Sequence, residues 1–242
     1  MPISLRDKVV LVVGASSGIG RATAIQFAKE GARVMAAARR ENRLHELRDE
    51  LQSTGCCAEI HVADAAKAED MNELARMTLA KFGRIDFLVY ASGTNVPNRA
   101  LARLDVATWD RMVNVNLNGA YYATQAVLPG MREARSGYLI YVSSISGLVP
   151  DVSGAAYQAA KRGVLGLAHA VRVEEKENGI RTCVICPGLV DTEILVNRPV
   201  KPSAEMMARA LQPEDIAEAI LAVAKLPERA VVPEMQVLPA YL

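Results

Sequence analysis

The stretch that decides the fold is VVLVVGASSGIGRATAI, which occupies residues 9–25. Five apolar residues come first, a glycine-rich turn follows, and the residues after the turn are typical of a helix. Glycines remove the side chains that would keep a pyrophosphate away from backbone N–H groups and from the helix N-terminus. The stretch therefore predicts a strand, a phosphate-binding turn and a helix. The residues expected to contact a nucleotide here are Gly14, Ser16, Ser17, Gly18, Ile19 and Gly20.

Outward from this stretch, short apolar segments alternate with amphipathic helix-like segments. A helix-like segment, a glycine and a β-rich segment recur around Gly31, Gly83 and Gly179, and a left-handed glycine commonly ends a helix. Strands that are apolar throughout are typical of a parallel sheet covered on both faces. The predicted fold class is α/β: a single-domain doubly wound parallel sheet of Rossmann type over residues 1–242, with helices on both faces. The predicted strands are Val9–Val13, Val34–Ala38, Ala58–Val62, Phe87–Tyr90, Tyr138–Val142 and Thr182–Cys186.

The end of the second strand carries information about the cofactor. Enzymes that use NAD usually place a carboxylate there for the ribose 2′-hydroxyl. This chain has Ala38 at that position, and Arg39 and Arg40 follow it. A guanidinium would offer paired donors to a 2′-phosphate. The sequence thus predicts that NADP(H) is preferred over NAD(H), with Arg39 as the candidate contact.

Composition excludes several other classes of function. The 242 residues carry a formal net charge of +1, which predicts no binding of nucleic acid or of an anionic membrane surface. No apolar run approaches the ~18 residues of a membrane span, and no signal segment is recognised, so a cytoplasmic location is expected. The three histidines are isolated, and no metal site is predicted.

Two of the four cysteines are spaced as Cys183-x-x-Cys186. They lie in the sixth predicted strand, where residues three apart point to opposite faces. A redox or zinc half-site is therefore not expected, and both thiols are predicted to be structural.

A polar, proline-bearing segment, residues 191–212, follows the sixth strand. It includes a possible short helix around residues 205–210 and lies before a helix predicted to begin at Pro213. Ligands of open α/β sheets bind beyond the carboxyl ends of the strands. We therefore expect residues 191–212 to form the substrate loop, with an ordered surface excursion as the alternative. Arg198 and Lys201 could meet an acidic substrate or could simply be solvated.

Tyr157 and Lys161 are spaced to share one face of a helix. Free tyrosine has a pKa of ~10, which is high for a base near neutrality. A neighbouring ammonium and the positive nicotinamide of an oxidised cofactor are expected to lower that pKa. Such a tyrosine could exchange a proton with a substrate oxygen, while Ser144 holds the same oxygen.

With these residues in view, the chain resembles the short-chain dehydrogenase/reductase family along nearly its whole length. The matching pieces occur in the family's order, with a serine thirteen residues before the tyrosine. The ending of the chain is similar to that of the branch with NADP-dependent 3-hydroxy acid dehydrogenases. The pieces are Gly14-x-x-x-Gly18-x-Gly20, Asp64, Asn116-x-x-Gly119, Ser144, Tyr157-x-x-x-Lys161 and Pro187-Gly188-x-x-x-Thr192.

The resemblance implies roles for further residues. Asn116 would position a water that links Lys161 to solvent, and Lys161 would also hold the nicotinamide ribose. Asp64 would meet the adenine, and Gly93, with Ala91 in the same turn, would lie by the adenosine ribose. Pro187, Gly188 and Thr192 would flank the nicotinamide carboxamide. The resemblance also implies a homodimer or homotetramer with a helix pair from each subunit at the interface.

Two positions depart from the family pattern. The usual threonine before the first glycine is Val13, and the usual Asn-Asn-Ala-Gly reads Tyr90-Ala-Ser-Gly93. A hydroxyl and a bracing side-chain amide are thereby lost. We expect these changes to affect local stability more than chemistry.

The function predicted from the sequence is hydride transfer between NADP(H) and a carbonyl or secondary-alcohol substrate. Its catalytic residues are Asn116, Ser144, Tyr157 and Lys161. One alternative is an NADP(H)-binding sensor or scaffold with vestigial catalysis. Another is an epimerase or dehydratase that works by transient oxidation, although relatives of that kind are usually longer.

Overall fold

A parallel sheet forms the centre of the protein, whose structure is a computed structural model describing residues 2–241. Met1 and Leu242, the outermost residues of the expected domain, lie outside the described residues. The strands occur in the order β3-β2-β1-β4-β5-β6-β7, and every neighbouring pair is parallel. The predicted fold class is confirmed. The strands are β1 (Val9–Val13), β2 (Arg33–Ala38), β3 (Ala58–Val62), β4 (Phe87–Tyr90), β5 (Gly137–Val142), β6 (Ile180–Pro187) and β7 (Glu234–Val237).

Helices cover both faces of the sheet, because successive side chains of the apolar strands point to opposite sides. In β1, Val10 and Val12 pack with α1, α2 and α8, whereas Leu11 and Val13 pack in the layer of α3, α5 and α6. The helices are α1 (Gly18–Lys29), α2 (Glu41–Ser53), α3 (Ala68–Phe82), α4 (Val106–Val113), α5 (Gly119–Ala134), α6 (Ala155–Glu174), α7 (Ala204–Ala208) and α8 (Pro213–Ala224). A π-helical segment, Asn114–Asn118, joins α4 to α5.

Glycine ends the helical segments where the sequence predicted it. Gly83 has φ +78° and donates its N–H to Leu79 O at the end of α3. Gly31 and Gly179 also have positive φ values. A side chain would be strained at these positions, so the recurring glycines set the points where chain direction reverses into β2, β4 and β6.

The two cysteines of β6 face opposite sides of the sheet, as predicted. Cys183 belongs to the α1–α2–α8 layer and Cys186 to the α3–α5–α6 layer. Both are free thiols, and burial raises the pKa of each to about 12. They therefore behave as small apolar core residues.

The segment 191–212 leaves the sheet and returns close to its starting point. The N–H of Asp191 donates to Leu211 O, and the N–H of Leu211 donates to Leu189 O. Between these ends lie a 3-10 helix, Glu193–Asn197, and α7. Compared with the helix expected at 205–210, α7 begins one residue earlier and ends two residues earlier. The predicted helix after the segment begins at Pro213, as expected.

Within residues 2–241, no helix combines the length and apolarity required to cross a bilayer. The same residues contain no group of three or more His, Cys, Asp or Glu side chains placed to hold a metal ion.

Candidate active site

A cleft of about 490 Å³ opens at the carboxyl ends of the strands. In a doubly wound sheet this edge collects the turns that bind ligands. The cleft brings together all of the sequence-predicted site residues except Gly20 and Asn116, which lie behind its wall. The predicted residues that line it are Gly14, Ser16, Ser17, Gly18, Ile19, Arg39, Asp64, Ala91, Gly93, Ser144, Tyr157, Lys161, Pro187, Gly188 and Thr192.

The glycine turn after β1 is too tight for side chains. A β-carbon on Gly14, where φ is +93°, would lie 2.6 Å from the Ser92 nitrogen. A β-carbon on Gly20 would overlap the Gly14 carbonyl oxygen. Close packing of turn, helix and strand therefore depends on glycine at both positions.

The N-terminus of α1 points its free N–H groups at this end of the cleft. Ser17 is the N-cap residue, but its side chain makes no capping hydrogen bond, and the first turn carries no acidic residue. An α-helix N-terminus has four N–H groups without intrahelical partners and a partial positive charge. This donor set fits the pyrophosphate of a dinucleotide.

Arg40 is the arginine that reaches into the turn. Its Nη2 donates to Ser16 Oγ (3.0 Å) and Ser17 Oγ (2.5 Å), and its Nη1 donates to Glu193 Oε2 (2.6 Å). Arg39, the residue singled out from the sequence, also lines the cleft, and both arginines are exposed. The sequence named Arg39 as the candidate contact, whereas the arginine that hydrogen-bonds to the turn in this structure is Arg40; alternation along a strand does not fix side-chain directions beyond its end.

The remaining predicted residues frame the two ends of the cleft. Asp64 follows β3, is half-buried, and accepts a hydrogen bond from Ala66 N (3.0 Å). At the other end, a β-carbon on Gly18 would lie 3.1 Å from the Thr192 methyl group. The start of segment 191–212 therefore lies against the phosphate turn itself.

Ser144, Tyr157 and Lys161 form the polar centre of the cleft. Ser144 follows β5, and its hydroxyl, which accepts a hydrogen bond from Ser146 N (3.1 Å), is close enough to the Tyr157 hydroxyl to lower the Tyr157 pKa. Tyr157 lies in the first turn of α6, and the Lys161 Nζ one turn later is 5.6 Å from the Tyr157 ring centroid. Lys161 is 4% exposed and donates to Val142 O (2.9 Å).

Burial shifts both titratable groups toward their neutral forms. It lowers the pKa of Lys161 to about 8 and raises the pKa of Tyr157 to about 12, opposed by the Ser144 hydrogen bond. The expected lowering of the Tyr157 pKa is therefore wrong for the protein alone. The Lys161 ammonium bonds to the Val142 carbonyl, and the cations that do lower the Tyr157 pKa are Arg198 and Arg99.

The Asn116 side chain lies in the π-helical segment and is fully buried. Its Nδ2 donates to Thr94 O (3.0 Å) and Met112 O (2.8 Å), and its Oδ1 accepts from Thr94 N (3.1 Å). The amide therefore fixes the loop after β4. A β-carbon on Gly93 would lie 3.2 Å from Asn116 Oδ1 and 3.3 Å from Lys161 Nζ, so glycine keeps the space between these two groups open.

Tyr90 replaces the brace that the family asparagine would provide. Its hydroxyl donates to Val115 O (2.6 Å), which ties the end of β4 to the π-helical segment. A β-carbon on Gly119 would overlap the Tyr90 hydroxyl. The substitution of asparagine by tyrosine thus keeps a β4 brace through a different hydrogen bond.

Several polar residues of the cleft were not predicted from the sequence. Asp151 accepts hydrogen bonds from the hydroxyls of Ser146 (2.5 Å) and Ser153 (3.0 Å). Arg99 is buried on the loop after β4 and lines the cleft together with Arg198 of segment 191–212, which the sequence had already indicated as a residue that could meet an acidic substrate. Asp151 and Ser153 lie close to Tyr157 in the sequence, and this proximity could have identified them as residues of the cleft. Arg99 stands alone in its loop and offers no such signal.

Comparison with known proteins agrees with this geometry. The family model described as short chain dehydrogenase matches residues 8–202. A protein of Staphylococcus saprophyticus described as an uncharacterized oxidoreductase is 36% identical, and the match covers 98% of this chain and 99% of the relative.

Two solved structures are also similar. A metagenomic short-chain oxidoreductase in complex with NADP has a TM-score of 0.85 and 32% identity, over 98% of this chain and 100% of the other. The closed form of a serine dehydrogenase complexed with NADP+ has a TM-score of 0.87 and 32% identity, over 95% and 94% of the two chains. The chain belongs to the short-chain dehydrogenase/reductase family and is an oxidoreductase of that family.

Proposed function

We propose that this protein transfers hydride between NADP(H) and a carbonyl or secondary-alcohol substrate, with Tyr157 as general acid and base. One observation carries the proposal. The Ser144 and Tyr157 side chains line one cleft that begins at the glycine turn, the Ser144 hydroxyl is close enough to lower the Tyr157 pKa, and the buried Lys161 lies one helical turn from Tyr157. Two hydroxyls converging in this way can both contact one substrate oxygen.

In the reductive direction, the substrate oxygen would accept hydrogen bonds from Ser144 and Tyr157. These contacts orient the carbonyl and stabilise the negative charge that develops on its oxygen. Bound NADPH would supply the hydride for the carbonyl carbon and would thereby be oxidised to NADP+. Tyr157 donates its proton to the oxygen, which completes the alcohol. In oxidation, Tyr157 takes that proton back.

Lys161 is proposed to act on Tyr157 and on the cofactor ribose. One of its three donors is used by Val142 O, and the other two are suited to ribose hydroxyls. Asn116 is proposed to support the exchange of protons between Lys161 and solvent. Its side chain holds the loop beside Gly93, near which Asn116 and Lys161 both lie.

The preference for NADP(H) is also a proposal. It is supported by the absence of a carboxylate at Ala38, by the Arg40 guanidinium at the glycine turn, and by the NADP complexes of the two similar structures. Arg40 is the principal candidate for the 2′-phosphate, and the exposed Arg39 is a secondary one. Asp64, Ala91 and Gly93 are proposed to contact the adenosine, and Pro187, Gly188 and Thr192 the nicotinamide.

We further propose that residues 1–242 act as one cytoplasmic domain, with residues 191–212 as its substrate loop, in a homodimer or homotetramer. The loop's contact with the phosphate turn supports its role. Exposed Trp109 on α4 and Tyr121 on α5 support a helix-pair interface, since large exposed apolar side chains often mark contact surfaces.

The decisive experiment follows NADPH oxidation with ketones, aldehydes, diketones and oxo acids, using Tyr157→Phe as the matched variant. Turnover by the wild type and its loss in Tyr157→Phe support the proposal. Binding of NADPH without turnover of any compound favours the sensor or scaffold, a function that the intact Ser144, Tyr157 and Lys161 disfavour. Turnover that is unaffected by Tyr157→Phe would refute the assigned acid and base.

A further inference from the structure

Arg99 is a buried cation of the cleft with unused donor capacity. The residue is 8% exposed, and among residues 2–241 its Nε has no hydrogen-bond partner and its Nη2 reaches only Asn197 O at 3.4 Å. A buried donor without a partner is costly. The first carbons of its side chain pack closely against Gly154, because a β-carbon on Gly154 would lie 2.7 Å from the Arg99 β-carbon.

Arg198 places a second cation on the same part of the cleft, since it lines the cleft and directly follows Asn197, whose carbonyl oxygen Arg99 Nη2 reaches. Its charge lowers the pKa of Arg99, after the larger effect of burial, and both arginines lower the pKa of Tyr157. Neither arginine takes part in a salt bridge with any of residues 2–241. Two unpaired like charges beside the Tyr157 hydroxyl disfavour the folded protein. A bound anion would offset this cost.

Asp151 is the carboxylate whose charge acts on this region, but its oxygens are already used. Oδ2 accepts from the Ser146 and Ser153 hydroxyls, and Oδ1 accepts from Ser153 N (2.8 Å). Asp151 thereby offsets one of the two positive charges without binding either guanidinium. The three side chains leave one positive charge uncompensated, which matches a monoanion better than a phosphate dianion.

We propose that Arg99 and Arg198 form a carboxylate site, and that the substrates are therefore oxo acids and the matching hydroxy acids. A planar guanidinium presents paired donors in the geometry of a carboxylate. The inference rests on the proposed function, because the carboxylate would lie on the molecule whose carbonyl meets Ser144 and Tyr157. Held at this site, the carboxylate fixes the orientation of the carbonyl toward the catalytic hydroxyls.

The test compares reduction of matched acids and methyl esters: 2-oxo, 3-oxo and 4-oxo acids and their esters, with NADPH in excess. For at least one pair, we expect the acid to have a kcat/KM about tenfold or more above that of its ester. In Arg198→Gln, the acid-to-ester ratio should fall about tenfold, as expected for losing a charge-assisted hydrogen bond. Arg99→Gln should behave alike. Lys201→Gln is the control, since Lys201 is an exposed cation of the same segment.

The outcomes separate the inference from the function on which it rests. Reduction of neutral ketones and esters without any preference for acids overturns the carboxylate site and leaves the proposed function intact. An equal loss of acid and ester turnover in Arg198→Gln, with a shifted pH profile, assigns the arginines to tuning Tyr157 and also overturns it. No NADPH oxidation with any compound ends both proposals. Arg198→Gln decides the matter if the buried Arg99 variant fails to fold.

Discussion

Arg40 and Glu193 form an ion pair that joins the glycine turn to segment 191–212: Arg40 Nη1 lies 2.6 Å from Glu193 Oε2. The same guanidinium donates to Ser16 and Ser17. The hydrogen bond from Arg40 holds the pKa of Glu193 below its usual value. A carboxylate from residues 191–212 therefore occupies the donors that we propose for a 2′-phosphate, and under that proposal the two anions compete for one arginine.

Replacing Arg40 should remove most of the discrimination between cofactors. We expect the wild type to bind NADPH at least about tenfold more tightly than NADH. Arg40→Gln should weaken NADPH binding about tenfold or more, because charge-assisted bonds to the phosphate are lost, while NADH is much less affected. Titration calorimetry measures both affinities. Arg39→Gln is the matched control, and a larger effect at Arg39 than at Arg40 would reverse the assignment.

Neutralising Glu193 should have the opposite effect. Glu193→Gln removes the anion that competes for Arg40, so NADPH should bind up to about fivefold more tightly, the range expected for an exposed ion pair. NADH lacks the 2′-phosphate and should be nearly insensitive. The same titration tests this, and weaker NADPH binding in Glu193→Gln would contradict the competition.

Replacement of Tyr157 by phenylalanine should greatly lower kcat without weakening NADPH binding. The ring and its packing remain, whereas the group proposed to exchange a proton is lost. General acid–base catalysis contributes about 10²–10⁴-fold, so kcat should fall by a similar factor while the NADPH affinity stays near that of the wild type. A variant with nearly unchanged kcat on its best carbonyl substrate would exclude Tyr157 as the acid.

Burial of Lys161 predicts a stability that depends on pH. Its pKa is about 8 in the folded protein and 10.5 in the unfolded chain. Between these values the unfolded chain binds more protons, so this group makes the free energy of unfolding rise with pH. Relative to Lys161→Met, the wild type should gain up to about 3 kcal/mol from pH 7 to pH 10.

Urea titrations of the two proteins across this pH range measure the difference. The buried thiols of β6 titrate in both proteins and therefore cancel in the comparison. A constant difference between wild type and Lys161→Met from neutral to alkaline pH would mean that folding does not shift the Lys161 pKa.

Loss of the Tyr90 hydroxyl should destabilise the join between β4 and the π-helical segment. Tyr90→Phe leaves the Val115 carbonyl without its partner, and an unsatisfied buried group costs about 1–3 kcal/mol. We therefore expect a lower unfolding midpoint. We also expect a moderate loss of kcat, because Asn116 directly follows Val115 in the π-helical segment. Val115 is mostly buried, so water should not restore the bond. An unchanged midpoint would show that the bond contributes nothing.

Much of the fold was predictable because its determinants are local. The apolar runs of β1 to β6 and the glycines after the helices can be read directly from short stretches of sequence. β7 was not among the predicted strands, since Glu234 and Gln236 make half of it polar. It pairs only with β6, at the edge of the sheet, where one side of a strand needs no partner and apolarity is not required.

The site was predictable only where a motif carries it. Ser144, Tyr157 and Lys161 follow from spacing, whereas Arg99 meets Asn197 across 98 residues of sequence, a proximity that no local pattern encodes. The sequence predicted a lowered Tyr157 pKa, whereas the pKa is raised in the protein without cofactor, for a related reason. The direction of the pKa shift depends on the balance between burial and the charges of particular neighbours. The sequence identifies Lys161 as a nearby cation, but it does not show that the ammonium donates to the Val142 carbonyl oxygen.

The opposed thiols of β6 give the two layers of the protein separate internal reporters. Cys183 and Cys186 are both fully buried, only three residues apart, and each is shielded by a different set of helices. A thiol reagent can react with either one only after its own layer opens. Labelling rates can be measured under native conditions after the exposed Cys57 and the partly exposed Cys56 are replaced. These rates would reveal whether the α1–α2–α8 layer and the α3–α5–α6 layer detach together or as independent cooperative units.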